Sequence, residues 1–202
     1  ATGYGQVYFL REMLASKGET IEGKTCAISG SGNVAQYCAQ KVLGYGGKVI
    51  TMSDSGGYIF DKEGINESKL DWIMDLKNNR RGRIKEYVKE YPGAVYHEGK
   101  RPWGEVCDVA LPSATQNEIE VEGATNLVKN GCMAISEGAN MPTSPEAYTI
   151  LSDAGVLFGP AKAANAGGVA VSALEMSQNA SFDEWTSKKV DSKLDQIMTG
   201  IH

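Results

Sequence analysis

Basic residues are scarce in this 202-residue chain: 20 Lys and Arg stand against 25 Asp and Glu, giving a net charge of -5 and a pI near 5.2. That balance leaves no electrostatic footprint for a polyanionic nucleic acid or an anionic membrane surface, so any bound phosphate must be held by local geometry. Histidine is scarcer still. His97 falls in what reads as a polar turn and His202 is terminal, and neither is placed as a catalyst. No apolar run approaches the roughly 18 residues of a membrane helix, and no charged-then-apolar leader opens the chain, which makes the cytoplasm the default location. The four cysteines (Cys26, Cys38, Cys107, Cys132) include no C-x-x-C pair. Three lie in apolar stretches, so buried thiols are expected and a metal site is not. Internal repeats and low-complexity segments are absent. No initiator methionine precedes Ala1-Thr2-Gly3, from which a fragment or processed piece is expected.

What is present is an ordinary soluble mix, 42% hydrophobic and 22% charged, in a length that suits one α/β core with appended helices. Val7, Leu10, Arg11 and Leu14 recur at helical spacing over Tyr4 to Leu14, with Lys17-Gly18 as the stop. Lys24 to Ile28 is a short apolar run entering a glycine turn. Val34 to Val42 has the pattern of the following helix, and Gly47 to Met52 reads as a second strand, completing a βαβ unit of about 30 residues. Tyr58 to Gly64, bracketed by glycines, looks like a small hairpin excursion. Helices are expected at Ser68 to Lys77, Ile84 to Tyr91, Gly123 to Lys129 and Pro145 to Asp153. Strands are expected at Ala94 to Tyr96, Cys107 to Leu111, Cys132 to Ser136 and Val156 to Phe158. Helices over Ala166 to Asn179 and Phe182 to Met198 close the chain. The alternation implies an α/β, Rossmann-like, doubly wound and mostly parallel sheet, with residues 1–17 and 166–202 as flanking helices of one domain spanning 1–202.

Gly30-Ser31-Gly32-Asn33-Val34-Ala35 fits G-x-G-x-x-A between a strand and a helix. Gly30 permits the tight turn, Gly32 lets a pyrophosphate approach the backbone, and Ala35 keeps helix and strand close. The helix N-terminus offers free N–H groups and positive dipole to phosphates. A glycine turn before a helix can also be purely structural; the βαβ context and an acidic residue 24 positions after Gly30 (54 minus 30) favour dinucleotide binding. Asp54, by the general rule, accepts from an adenosine ribose 2′-hydroxyl and favours NAD; otherwise it is a strand-end turn residue. A 2′-phosphate instead wants cations and hydroxyls, and Ser53, Ser55, Lys77, Arg80, Arg81 and Arg83 offer them, though each cation alone reads as a solvated helix-face charge.

Ligands of an open α/β sheet lie outside the carboxyl ends of its strands, and three strand ends here are polar. Pro112-Ser113-Ala114-Thr115-Gln116-Asn117 follows one, and Ser136-Glu137-Gly138-Ala139-Asn140 ends another. Gly159 to Gly168, containing Asn165, follows the third. Asn140 could donate to and accept from a carboxamide such as that of nicotinamide. Each cluster alone equally suits a tight loop. No nucleophile stands beside a base, so the chemistry is only half encoded.

Taken together, Ala1-Thr-Gly-Tyr-Gly5, Gly30 to Gln36, Ser53-Asp-Ser55, Ala110-Leu-Pro-Ser-Ala-Thr-Gln-Asn-Glu118, Glu137-Gly-Ala-Asn-Met-Pro142 and Ala161 to Val169 resemble the hexameric glutamate dehydrogenases in order and approximate spacing, over nearly the whole chain. The resemblance implies a cofactor-binding domain following an N-terminal substrate domain that carries the catalytic lysine and aspartate, none of which is in this sequence. It implies reversible oxidative deamination of L-glutamate to 2-oxoglutarate and ammonia by a homo-hexamer, with hydride passing to nicotinamide. It also implies that Thr2, Gly30, Gly32, Asn33 and Val34 contact the dinucleotide, with Ala114 and Thr115. Asn140 and Asn165 would lie near the nicotinamide end, and Ser172 would reach the substrate's side-chain carboxylate. Read from the residues alone, Thr2 is a helix N-cap and Ser172 a small polar residue on a buried helix face. Ser53-Asp54-Ser55 looks like the NADP-dependent bacterial members, with Ser55, Lys77 and Arg83 around a 2′-phosphate and Asp54 orienting neighbours; NADP is expected and NAD is possible. Other readings are a leucine, phenylalanine or valine dehydrogenase, which the polar Ser172 disfavours, a non-catalytic dinucleotide-sensing module, and a glycine-loop methyltransferase, which the strand-end clusters disfavour.

Overall fold

The computed structural model describes residues 1–181 and 185–202. The chain opens on helix α1 (Thr2–Ala15) and then alternates: β1 (Thr25–Ile28), α2 (Asn33–Gly44), β2 (Lys48–Asp54), β3 (Gly57–Phe60), α3 (Glu67–Asn78), α4 (Tyr87–Glu90) and β4 (Val95–Glu98). There follow β5 (Val109–Leu111), α5 (Val121–Lys129), β6 (Ala134–Ser136), α6 (Pro145–Asp153), β7 (Leu157–Gly159), α7 (Ala161–Ala164), α8 (Gly167–Ser181) and α9 (Ser187–Ile201). The strands form one seven-stranded sheet in the order β4-β3-β2-β1-β5-β6-β7. Five run parallel, while β3 and β4 are antiparallel additions beyond β2. Strand order reverses between β1 and β5, which pair through Cys26 with Val109, Ala27 with Ala110 and Ile28 with Leu111. A doubly wound sheet opens a crevice at that reversal.

Helices cover both faces because the central strands are apolar on both sides. Val109, Ala110 and Leu111 are all fully buried, as a strand sandwiched between helix layers must be. On one face α1, α2 and α3 pack with Cys26, Ile28, Val49 and Met52; on the other Trp103, α5 and α6 pack with Ala27, Ala110 and Ile135. Helix starts are locally encoded. Asn66 caps α3 by accepting from Lys69 N–H at 2.9 Å, and Ser144 caps α6 ahead of Pro145. No helix among the described residues is long and apolar enough to cross a membrane.

Several elements differ from their sequence expectations. Tyr58-Ile59-Phe60 is not a separate hairpin with the residues that follow it. It forms a hairpin with the end of β2 across Ser55-Gly56 and pairs with β4 as well, so that Ile59, fully buried, lies opposite Met52 on one side and Tyr96 on the other. The helix expected over Ile84 to Tyr91 is a 3-10 turn, Ile84–Glu86, followed by the four-residue α4. His97 lies in β4 rather than a turn, its ring stacked on Tyr58 at 4.7 Å. The short α7 has no counterpart in the expectations. Of the helix expected over Phe182 to Met198, residues 182–184 lie outside the described residues; α9 begins after Thr186, whose side chain accepts from Lys189 N–H.

Candidate functional site

The turn after β1 sits at the mouth of the crevice. Gly30 takes φ +84°, and a Cβ on it would lie 2.8 Å from the Ser113 carbonyl oxygen, so its conformation and its neighbour both require glycine. Its N–H donates to Ser53 Oγ at 2.7 Å and its carbonyl accepts from Ser53 N–H at 3.0 Å, tying the turn to the end of β2. Gly32 is the N-cap of α2 and carries no capping side chain; a Cβ there would meet nothing within 4 Å. It therefore opens onto a groove of about 520 Å³ lined by Gly30, Ser31, Gly32, Ser53, Asp54, Ser55, Gly99, Lys100, Arg101, Ala114, Thr115 and Glu118. The uncapped first turn and the empty space over Gly32 have the form of an anion cradle at a helix N-terminus.

At one end of this groove Asp54 is almost buried and fully engaged. Oδ1 accepts from Gly56 N–H at 2.8 Å and Oδ2 from Ile84 N–H at 2.9 Å, with Lys77 Nζ at 3.6 Å and Arg83 Nη1 at 4.0 Å. Burial opposes its charge, but these two N–H groups and two cations outweigh burial and hold the carboxyl below its usual range. Arg83 also donates to Ser55 Oγ at 3.1 Å, and Lys77 to the Gly82 carbonyl at 3.0 Å. Ser55, Lys77 and Arg83 are thus gathered around Asp54, with Ser55 and Arg83 exposed. Arg80 instead pairs with Asp75 at 2.8 Å.

The other end is a separate cavity of about 440 Å³ lined by Thr2, Val34, Ser113, Ala114, Gly138, Ala139, Asn140, Asn165, Gly168 and Val169. Ala114 belongs to both spaces, so the two flank the glycine turn. Asn165 Nδ2 donates to Asn140 Oδ1 at 2.8 Å, bridging the ends of β6 and α7. Asn33 is exposed on the first turn of α2 and lines neither cavity. Ser172 is also outside both: it is exposed on α8, its hydroxyl bonded back to the Gly168 carbonyl at 3.2 Å.

Buried polar residues without a sequence motif hold these loops. Glu118 Oε1 accepts from Ala114 N–H at 3.1 Å and Thr115 N–H at 3.3 Å, fixing the loop after β5; burial raises its carboxyl above the ordinary range despite those bonds. Glu137 Oε2 accepts from Ala161 N–H at 2.6 Å, and burial raises this carboxyl too. Gln6, fully buried in α1, donates to the Ser136 carbonyl at 2.7 Å and accepts from Ser113 Oγ at 3.1 Å, joining α1 to the ends of β5 and β6. Beside the groove, a further cavity of about 640 Å³ is lined by Tyr58, His97, Trp103 and Glu105 and shares Lys100, Arg101 and Glu118 with it. The readable signals were the glycine spacing, the acid and serines ending β2 with the cations after it, and the polar strand ends.

A doubly wound sheet, a glycine turn at its switch point and polar strand ends on either side define a Rossmann-like α/β protein. The sequence profile of the Glutamate/Leucine/Phenylalanine/Valine dehydrogenase family matches residues 1–202, and the chain belongs to that family. It is 57% identical over 202 residues to the "NAD(P)-specific glutamate dehydrogenase" of Xylanibacter ruminicola and 52% identical to the "NADP-specific glutamate dehydrogenase" of Escherichia coli; each match covers 100% of this chain and 45% of the relative. The chain therefore spans less than half the length of these curated relatives. The crystal structure of Plasmodium falciparum glutamate dehydrogenase superposes with a TM-score of 0.97 at 48% identity, covering 100% of this chain and 43% of that one.

Proposed function

We propose that this chain is the dinucleotide-binding part of an NADP-dependent glutamate dehydrogenase, with NAD a possible second cofactor. The whole protein would act as a homo-hexamer that interconverts L-glutamate with 2-oxoglutarate and ammonia. The observation that carries the cofactor reading is the state of Asp54. Both of its oxygens already accept main-chain N–H groups, while Ser55, Lys77 and Arg83 converge beside it. A carboxylate so engaged suits the role of orienting two cations and a hydroxyl for a 2′-phosphate better than that of gripping a ribose hydroxyl.

In this reading the first turn of α2 at Gly32, Asn33 and Val34 holds the pyrophosphate, and Ser53 fixes the turn from behind through Gly30. Ala114 and Thr115 form the wall opposite. Thr2, Asn140 and Asn165 surround the nicotinamide end, where the Asn140–Asn165 pair offers both a donor and an acceptor to a carboxamide. The bound nicotinamide supplies the hydride acceptor. Ser172, one turn along α8 from Gly168, would reach the substrate's side-chain carboxylate in the whole protein. The acid and base of the amine oxidation are not among these residues, so the isolated chain should fold and bind dinucleotide without ammonia-dependent NADPH oxidation; appreciable turnover by it alone would refute that division of labour.

The cofactor reading is tested by titrating NADPH and NADH against wild type and the Lys77→Ala/Arg83→Ala variant, following tryptophan fluorescence. Each charge-assisted bond lost should weaken NADPH by roughly 10- to 150-fold, about 1.5–3 kcal/mol, and leave NADH nearly unchanged. Equal losses for both cofactors, or a wild-type preference for NADH, would return the ribose to Asp54.

A further inference from the structure

We propose that Cys107 and Cys132 form a peroxide-reactive dithiol that closes to an intramolecular disulfide, just ahead of β5 and β6 at the strand ends remote from the dinucleotide groove. The register of β5 on β6 sets the two residues side by side. Val109 pairs with Ala134 and Ala110 with Ile135, and Met133 N–H donates to the Asp108 carbonyl at 2.8 Å, so the pairing continues one residue ahead of the assigned strands. One more step back brings Cys107 opposite Cys132. Neighbouring strands run about 4.8 Å apart, inside the Cα separation of about 4.4–6.8 Å that a disulfide spans without backbone movement. The Cys132 Sγ donates to the Ala134 carbonyl at 3.4 Å. Both belong to the apolar cluster beneath α5 and α6, and they are 3% and 5% exposed.

The pair is asymmetric. Cys132, with Lys17, Glu19, Gly131 and Met133, lines a surface groove of about 460 Å³ between the ends of α1, α5 and α6, whereas Cys107 does not reach it. The neighbouring Cys107 thiol holds Cys132 below its ordinary range, while Cys132 and burial push Cys107 well up. Cys132 is therefore the sulfur that meets the oxidant. It attacks one peroxide oxygen, the O–O bond breaks, and Cys132 becomes a sulfenic acid as one water leaves. The Cys107 sulfur then displaces hydroxide from Cys132, forming the S–S bond, while its proton leaves in a second water. The two sulfurs together lose the two electrons that the peroxide gains. Cys26 packs on the opposite face of the sheet and Cys38 within α2, so both stay reduced.

The test is treatment of the folded chain with hydrogen peroxide, followed by intact mass and non-reducing peptide mapping. The mass should fall by two hydrogen atoms, one linked peptide pair should contain Cys107 and Cys132, and dithiothreitol should reverse both changes. In Cys107→Ser, Cys132 should be captured as a sulfenic acid by dimedone; in Cys132→Ser, Cys107 should remain a thiol. An unchanged mass, oxygen added to Cys132 without a link, or a link through Cys26 or Cys38 would each overturn the dithiol. Capture of Cys107 in the Cys132→Ser chain would overturn the order of attack. The wild-type result stands alone should either variant fold poorly.

Discussion

Gly30 and Gly32 stand two residues apart and answer to opposite constraints. At Gly30 the protein itself excludes a side chain: φ is +84° and the Ser113 carbonyl occupies the space. At Gly32 nothing within 4 Å does so. Gly30→Ala should therefore cost about 1–3 kcal/mol of stability, read as a lower urea midpoint. Gly32→Val should leave that midpoint nearly unchanged and abolish detectable NADPH binding by filling the groove. A Gly32→Val chain that binds normally would mean the phosphate path lies elsewhere. The spacing of these glycines was legible because it is a local requirement of one turn. Glu118 and Gln6 were not, because their roles depend on burial and on partners more than a hundred residues away in the case of Gln6 with Ser113 and Ser136. A buried glutamine on an apolar helix has no periodic signature.

At the scale of elements, the loop after β5 illustrates how a buried carboxylate can build a wall at an energetic cost. Burial raises the Glu118 carboxyl, so the folded chain holds its proton more tightly than the unfolded chain. Its contribution is most favourable at low pH and is lost as pH rises from the unfolded value through the folded one. Glu118→Gln keeps an oxygen for the Ala114 and Thr115 N–H groups and carries no charge. It should melt higher than wild type at neutral pH, with the gap closing in acid; a lower melting point at neutral pH would show that the charge itself holds the loop. The β1–α2–β2 unit was readable from its apolar runs and glycines. The partners of β3 were not, since a short strand between glycines does not state which strand it will pair with.

The whole molecule is held shut by its two ends. Helix α9 lies on α1, with Tyr8 Oη donating to Asp191 Oδ1 at 2.5 Å, Arg11 Nη2 to Asp195 Oδ1 at 2.6 Å, and Leu194 and Met198 buried beneath. Removing the Met198 side chain by Met198→Ala should cost about 2–5 kcal/mol, lowering the urea midpoint with an unchanged slope. A cost under about 1 kcal/mol would show that α9 is docked only loosely. That two helices would bracket the sheet was legible in their periodicity; that they would meet was not, because Arg11 and Asp195 are 184 positions apart and no local pattern spans that distance.

This closure has a consequence for the time course of synthesis. Helix α1 is made shortly before α2 but long before β6, β7 and α9, and all four pack against it. With translation at about 5–20 residues per second, α1 waits on the order of ten seconds or more for α9. Over that interval the nascent chain carries an apolar helix covered by α2 on one side only, and a chaperone that binds such a segment has its longest opportunity there.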